Sequence, residues 1–133
     1  MRRAAAWLLV AGALAVAPGV ADADHAWAPV LTIDPASAKS LMDRGELVQP
    51  LDLRSPTDFR AGRLPHARSL PLRELSERVG EVPDRGIVVL YCACGRDELL
   101  RAYQLLRGHR HLNVFVLEGG IEAWRGLGYA LER

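Results

Sequence analysis

The sequence predicts an α/β fold: a mostly parallel central sheet flanked by helices on both faces. Three observations carry this. Short apolar, β-branched runs alternate with helix signals from Val30 to the end of the chain. Two of the runs, Ile87–Tyr91 and Asn113–Leu117, are almost wholly apolar, as strands covered on both faces must be. Asp34-Pro35 and Ser55-Pro56 each set a capping side chain before a proline, and proline is pre-shaped for the first position of a helix.

In chain order, Val30–Ile33 predicts a first strand and Asp34-Pro35 starts a helix through Ala38, Leu41 and Met42 that stops near Gly45. Leu47–Leu53 predicts a second strand, and Pro50 inside it points to a sheet edge or an early strand end. Ser55-Pro56 starts a short helix over Thr57–Ala61, closed by Gly62, and Ala67–Pro71 fits a short strand. Leu72, Leu75, Arg78 and Val79 mark a short amphipathic helix, followed by turn chemistry at Val82–Gly86. Ile87–Tyr91 is the central strand. Glu98–Arg107 predicts a helix with Leu99, Ala102, Leu105 and Leu106 inward. Asn113–Leu117 predicts the last strand, and Gly119-Gly120 turns the chain into a final helix, Ile121–Arg125.

At 133 residues the chain suffices for one core, and 50% hydrophobic with 25% charged residues is ordinary for a globular domain. A net charge of +1 and 6% aromatic residues give no basic patch or stacking platform, so nucleic acid is excluded as the expected partner. The N-terminus has its own layout. Arg2 and Arg3 precede the apolar run Ala4–Ala17, Pro18-Gly19 breaks it, and Ala21-Asp22-Ala23 supplies small residues at the positions an export peptidase reads. We expect residues 1–23 to be a signal peptide and 24–133 to be a single domain, periplasmic or secreted, with no stable membrane insertion after cleavage. The run is short of the roughly 20 residues a spanning helix needs; retention as an anchor is the alternative. Both cysteines fall in the mature part, and their redox state matters in an oxidising compartment.

Sites in open α/β sheets form beyond the carboxyl ends of the strands. Cys92 is the first residue after the central strand, just before a helix, where loop N–H groups and the helix N-terminus favour an anion. A thiolate is such an anion, so Cys92 is the candidate nucleophile. Cys94 leaves several fates open. It could resolve an oxidised or sulfurated Cys92, form a disulfide with it, share a soft metal with it given a third ligand, or stand by as a spectator. His109 and His111 read as surface residues of a helix–strand turn, His66 as a loop residue, and His25 as part of the lead-in. Asp52 and Arg54 read as a buried ion pair with capping roles, and Trp124 as core.

The stretches "LDLRSPTDFRAGRLPHARSLPL" (Leu51–Leu72), "VVLYCACGRD" (Val88–Asp97) and "NVFVLEGGIEAWRGLGYAL" (Asn113–Leu131) resemble the three signature stretches of the rhodanese family, in the family's order and spacing. The resemblance covers about Ile33–Leu131. It implies a single rhodanese-like domain and a sulfurtransferase in which Cys92 takes a sulfane sulfur from a donor such as thiosulfate or a persulfide. The Cys92 persulfide then gives that sulfur to a thiophilic acceptor, cyanide or a thiol, including one on a partner protein. Ala93, Cys94, Gly95, Arg96 and Asp97 are the implied substrate-binding loop, and neither a metal nor an organic cofactor is needed. The loop departs from the family pattern. Ala93 stands where arginine is common, Arg96 is its only cation, and Asp97 and Glu98 repel a dianionic donor. Its length is similar to that of the related cell-cycle phosphatases, but their required arginine falls on Glu98, which excludes phosphatase activity. The alternative reading is a low-turnover, redox-responsive carrier of sulfur or a soft metal on the Cys92/Cys94 pair.

Overall fold

The computed structural model describes residues 29–133. The expected signal segment, its cleavage site and His25 lie outside the described residues. Among the described residues, five parallel strands form one sheet in the order β1-β5-β4-β2-β3: β1 (Thr32–Ile33), β2 (Val48–Asp52), β3 (Arg68–Ser69), β4 (Ile87–Tyr91) and β5 (Val114–Leu117). The helices are α1 (Pro35–Asp43), α2 (Pro56–Ala61), α3 (Arg96–Gly108) and α4 (Gly120–Gly126).

The apolar character of β4 follows from its central place. Val88, Val89, Leu90 and Tyr91 are all fully buried, and their alternating side chains feed two cores. On one face, Val88 and Leu90 pack with Leu51, Leu70, Ala102 and Leu106; on the other, Val89 and Tyr91 pack with Leu64, Ile121 and Trp124. Trp124 is fully buried as expected, and its indole N–H donates to the Ala130 carbonyl at 3.0 Å. The two proline-led helix starts hold: Asp34 and Ser55 accept the N–H of Ser37 and Asp58, respectively.

Two expectations change. Pro50 is not on an edge strand, because β2 lies between β4 and β3. Leu53 N–H bonds to Tyr91 on the β4 side, whereas the Asp52 carbonyl faces β3. By alternation the missing N–H of Pro50 also falls on the β3 side, one residue before pairing with β3 begins at Leu51. The helix expected over Leu72–Val79 is instead two 3-10 turns, Leu72–Glu74 and Val79–Glu81. Leu75, Val79 and Val82 still bury one apolar stripe, but Pro83 drives Val82 to an extended backbone and ends the spiral. Arg78 clasps the two turns, bonding Glu74 at 2.8 Å and Glu81 at 2.7 and 2.8 Å.

Candidate active site

The in-register pairing of β2 with β4 sets Asp52 beside Tyr91, so the chain after each strand emerges at the same sheet end. Cys92 follows β4, Arg54 follows β2, and Gly119 lies in the turn after β5. Together with Asp58, Glu122, Arg125 and Ala93 they line a cleft of about 310 Å³. The β5–α4 turn meets the Cys92 backbone closely. Gly119 and Gly120 have φ of 69° and 58°, and a Cβ on Gly120 would lie 3.3 Å from the Cys92 carbonyl. Left-handed backbone and close approach both call for glycine here.

Beneath the cleft, Asp52 is fully buried and accepts four hydrogen bonds. Oδ1 takes Arg54 N–H at 3.0 Å and Nε–H at 2.9 Å; Oδ2 takes Arg54 Nη2–H at 2.6 Å and the Tyr91 hydroxyl at 2.8 Å. The Tyr91 oxygen in turn accepts Leu64 N–H at 3.2 Å, and Arg54 Nη2 also donates to the Gly62 carbonyl at 2.6 Å. Burial, then the neighbouring Asp52 charge, push the Tyr91 phenol well above its ordinary value, so Tyr91 is a neutral donor. Hydrogen bonding to Asp52 raises Arg54 against the opposing effect of burial. The expected ion pair is thus present, and it fixes the cleft wall. Arg54 is committed to that work. Arg125, whose one hydrogen-bond partner among the described residues is Glu122, at 3.2 Å, is the looser cation of the cleft.

The loop itself is Cys92–Gly95. Cys92 and Cys94 are joined as a disulfide with Cα atoms 5.2 Å apart, and Cys94 N–H points at Cys92 Sγ at 3.0 Å. The Gly95 N–H is occupied by the Glu98 carboxylate at 3.1 Å, so the helix caps itself with its own acid. Arg96 and Asp97, expected in the loop, form the first turn of α3. Of the expected substrate-binding residues, only Ala93 joins Cys92 on the cleft wall; Cys94, Gly95, Arg96 and Asp97 do not line it. Sequence reasoning missed Asp58, Glu122 and Arg125. Their only signal was charge beside a helix start and beside the Gly-Gly turn.

One expectation elsewhere is overturned. His111 is not on the surface: it is 7% exposed, with Nδ1 3.1 Å from Asp84 Oδ1 but lacking the alignment of a hydrogen bond. Its turn folds under the short loop before β4, which covers it. His109 is exposed as expected, and His66 is a loop residue with φ of 60°. Among the described residues no three His, Cys, Asp or Glu side chains gather to hold a metal.

Comparison with known proteins fits this arrangement. Residues 34–127 match the rhodanese-like domain family. The chain is 36% identical over 93 residues to a protein of Allochromatium vinosum named a sulfurtransferase, covering 69% of this chain and 85% of that one. It is 35% identical over 78 residues to the Bacillus subtilis protein YqhL, covering 59% of this chain and 61% of that one. The crystal structure of the Alr3790 protein of Anabaena superposes with a TM-score of 0.68 at 27% identity, over 75% of this chain and 81% of that one. A rhodanese-related protein of Thermoplasma volcanium shares the fold with a TM-score of 0.66 at 24% identity, over 77% and 97% of the two chains.

Proposed function

The chain belongs to the rhodanese-like domain family, a sulfurtransferase family, and from that premise we propose that it moves a sulfane sulfur through a persulfide on Cys92. The observation that carries this is the placement of Cys92 at the carboxyl end of the central strand, on the wall of the cleft. Once the disulfide is reduced, the Cys92 thiolate attacks the outer sulfur of a donor such as thiosulfate or a persulfide. The donor S–S bond breaks, and sulfite or a thiol leaves with the electron pair. A thiophilic acceptor, cyanide or a thiol, then attacks the outer sulfur of the persulfide and returns the thiolate. Arg125 offers the cleft a cation for an anionic donor, and Ala93 leaves the mouth of the loop uncrowded. The N-terminal pattern supports export, and with it a periplasmic or secreted setting for this chemistry. Pre-reduced mature protein should turn over thiosulfate with cyanide, or glutathione persulfide with a thiol, and Cys92→Ser should abolish both. Turnover by neither donor, or turnover that survives Cys92→Ser, refutes the proposal.

The disulfide favours a second reading, a redox-responsive carrier with little steady-state turnover. Its soft-metal form needs a third ligand from outside the described residues. Thiol trapping of protein taken from the periplasm tests it: two free thiols and no bound metal count against it.

A further inference from the structure

Cys94 is the reactive side chain of the loop that sulfur transfer leaves unused. It is placed to act on Cys92. Its N–H points at Cys92 Sγ at 3.0 Å, the two sulfurs are bonded, and the 5.2 Å between Cα atoms lies within the span of about 4.4–6.8 Å that a disulfide needs. The bond therefore forms on this loop backbone without displacing an element of the sheet. Cys94 also stands outside the cleft lining, so a donor that fills the cleft does not occupy its place. Nor is a persulfide on Cys92 well sheltered. The Gly95 N–H is already taken by Glu98, and the adjoining first turn of α3 carries Asp97 and Glu98.

We propose that Cys94 is an internal acceptor that converts the sulfur taken up by Cys92 into sulfide, making this protein a sulfane-sulfur reductase as well as a transferase. This rests on the reading that Cys92 forms a persulfide. The Cys94 thiolate attacks the inner sulfur, Cys92 Sγ. The Cys92–Cys94 bond forms, the bond to the outer sulfur breaks, and that sulfur leaves as hydrosulfide with the electron pair. The sulfane sulfur gains two electrons and each cysteine sulfur loses one; the proton of the Cys94 thiol goes to hydrosulfide or solvent. The step yields the same Cys92–Cys94 bond that the structure holds. A dithiol reductant resets it by exchange, becoming a disulfide itself. An external acceptor attacks the outer sulfur and Cys94 the inner one, so the two routes compete for one intermediate.

The test is a single turnover under anaerobic conditions, with pre-reduced protein freed of reductant and given thiosulfate or glutathione persulfide. Sulfide is trapped with a bimane and the protein is weighed intact. Wild type should release about one sulfide per chain and lose two hydrogens, with little retained sulfur. Cys94→Ser and Cys94→Ala should instead keep one added sulfur, with sulfide release at least about tenfold lower. Cys92→Ser should do neither and sets the background. Stable retention of the added sulfur by wild type, disulfide formation without sulfide, or unchanged sulfide release by both Cys94 variants overturns the proposal while leaving transfer through Cys92 standing. If the Cys94 variants and wild type all fail to take sulfur or release sulfide, the Cys92 persulfide itself falls, and this proposal with it.

Discussion

Replacing Asp52 by alanine removes the acceptor of four hydrogen bonds at a site with no access to water. The Arg54 side chain, only 9% exposed, keeps its charge and loses its counter-ion. Stripping one partner from a buried pair costs about 3–5 kcal/mol. The Tyr91 hydroxyl loses the acceptor of its proton as well, which costs at least about 1 kcal/mol more. We expect Asp52→Ala to lower stability by about 4–6 kcal/mol, most of it from the orphaned charge. At about 4–8 °C per kcal/mol for a domain of this size, the Tm should fall by at least about 16 °C. Urea unfolding of wild type, Asp52→Ala, Tyr91→Phe and the double variant Asp52→Ala/Arg54→Met gives the comparison. Tyr91→Phe should cost about 1 kcal/mol. The double variant should be more stable than Asp52→Ala alone, because it no longer buries an unpaired guanidinium. A double variant no better than the single one would show that the cost is lost packing, and the charge argument would be wrong.

Three further outcomes follow from the site and its supports. Arg125→Ala should raise KM for an anionic donor about two- to fivefold with kcat little changed, the scale of one exposed charge contact of about 0.5–1 kcal/mol; steady-state kinetics at two ionic strengths would show it, and an unchanged KM would remove Arg125 from donor binding. Gly119→Ala should destabilise the protein by more than about 1 kcal/mol and slow transfer, since the residue sits at φ of 69° and the new Cβ would fall 2.5 Å from that of Ala123; thermal melts and the transfer assay read both effects, and a neutral melt would contradict the geometry. Asp34 is held below its unfolded value of 3.8, chiefly by the Ser37 hydroxyl and then by the Ser37 N–H. Its contribution is therefore full above that value and lost as pH falls through the lower folded one. Asp34→Asn, which caps without titrating, should flatten the acid limb of a Tm–pH curve; an acid limb as steep as that of wild type would argue against it.

The sheet was legible because parallel strands buried on both faces leave continuous apolar runs. Ile87–Tyr91 matches its observed strand residue for residue. What failed to show was governed by non-local partners. Pro50 reads as an edge residue until the point at which β3 joins is known, and the stripe Leu72–Val79 suits a helix until Pro83 and the clasp of Arg78 are placed. His111 carries no sequence mark of burial, because the cover over it comes from the loop before β4. In the site, position alone marked Cys92 as the candidate, and the structure sets it on the cleft wall. Of the cleft's other charges, Arg54 follows β2, and Asp58, Glu122 and Arg125 come from α2 and α4, which meet it only through the fold. Arg96 illustrates the converse: a cation near the cysteine in sequence is turned away by the start of α3.

Glu98 gives the loop a bias that shape alone would not. Because it is covalently part of the helix whose first turn it caps, it sits on the Gly95 N–H as a tethered competitor. The effective concentration of a group held three residues away is in the millimolar range or above. A free anion arriving at that N–H must displace it and also meet the charge it carries. By charge alone, this loop should therefore hinder dianions most and donors whose sulfane sulfur is carried on a neutral or singly charged group least.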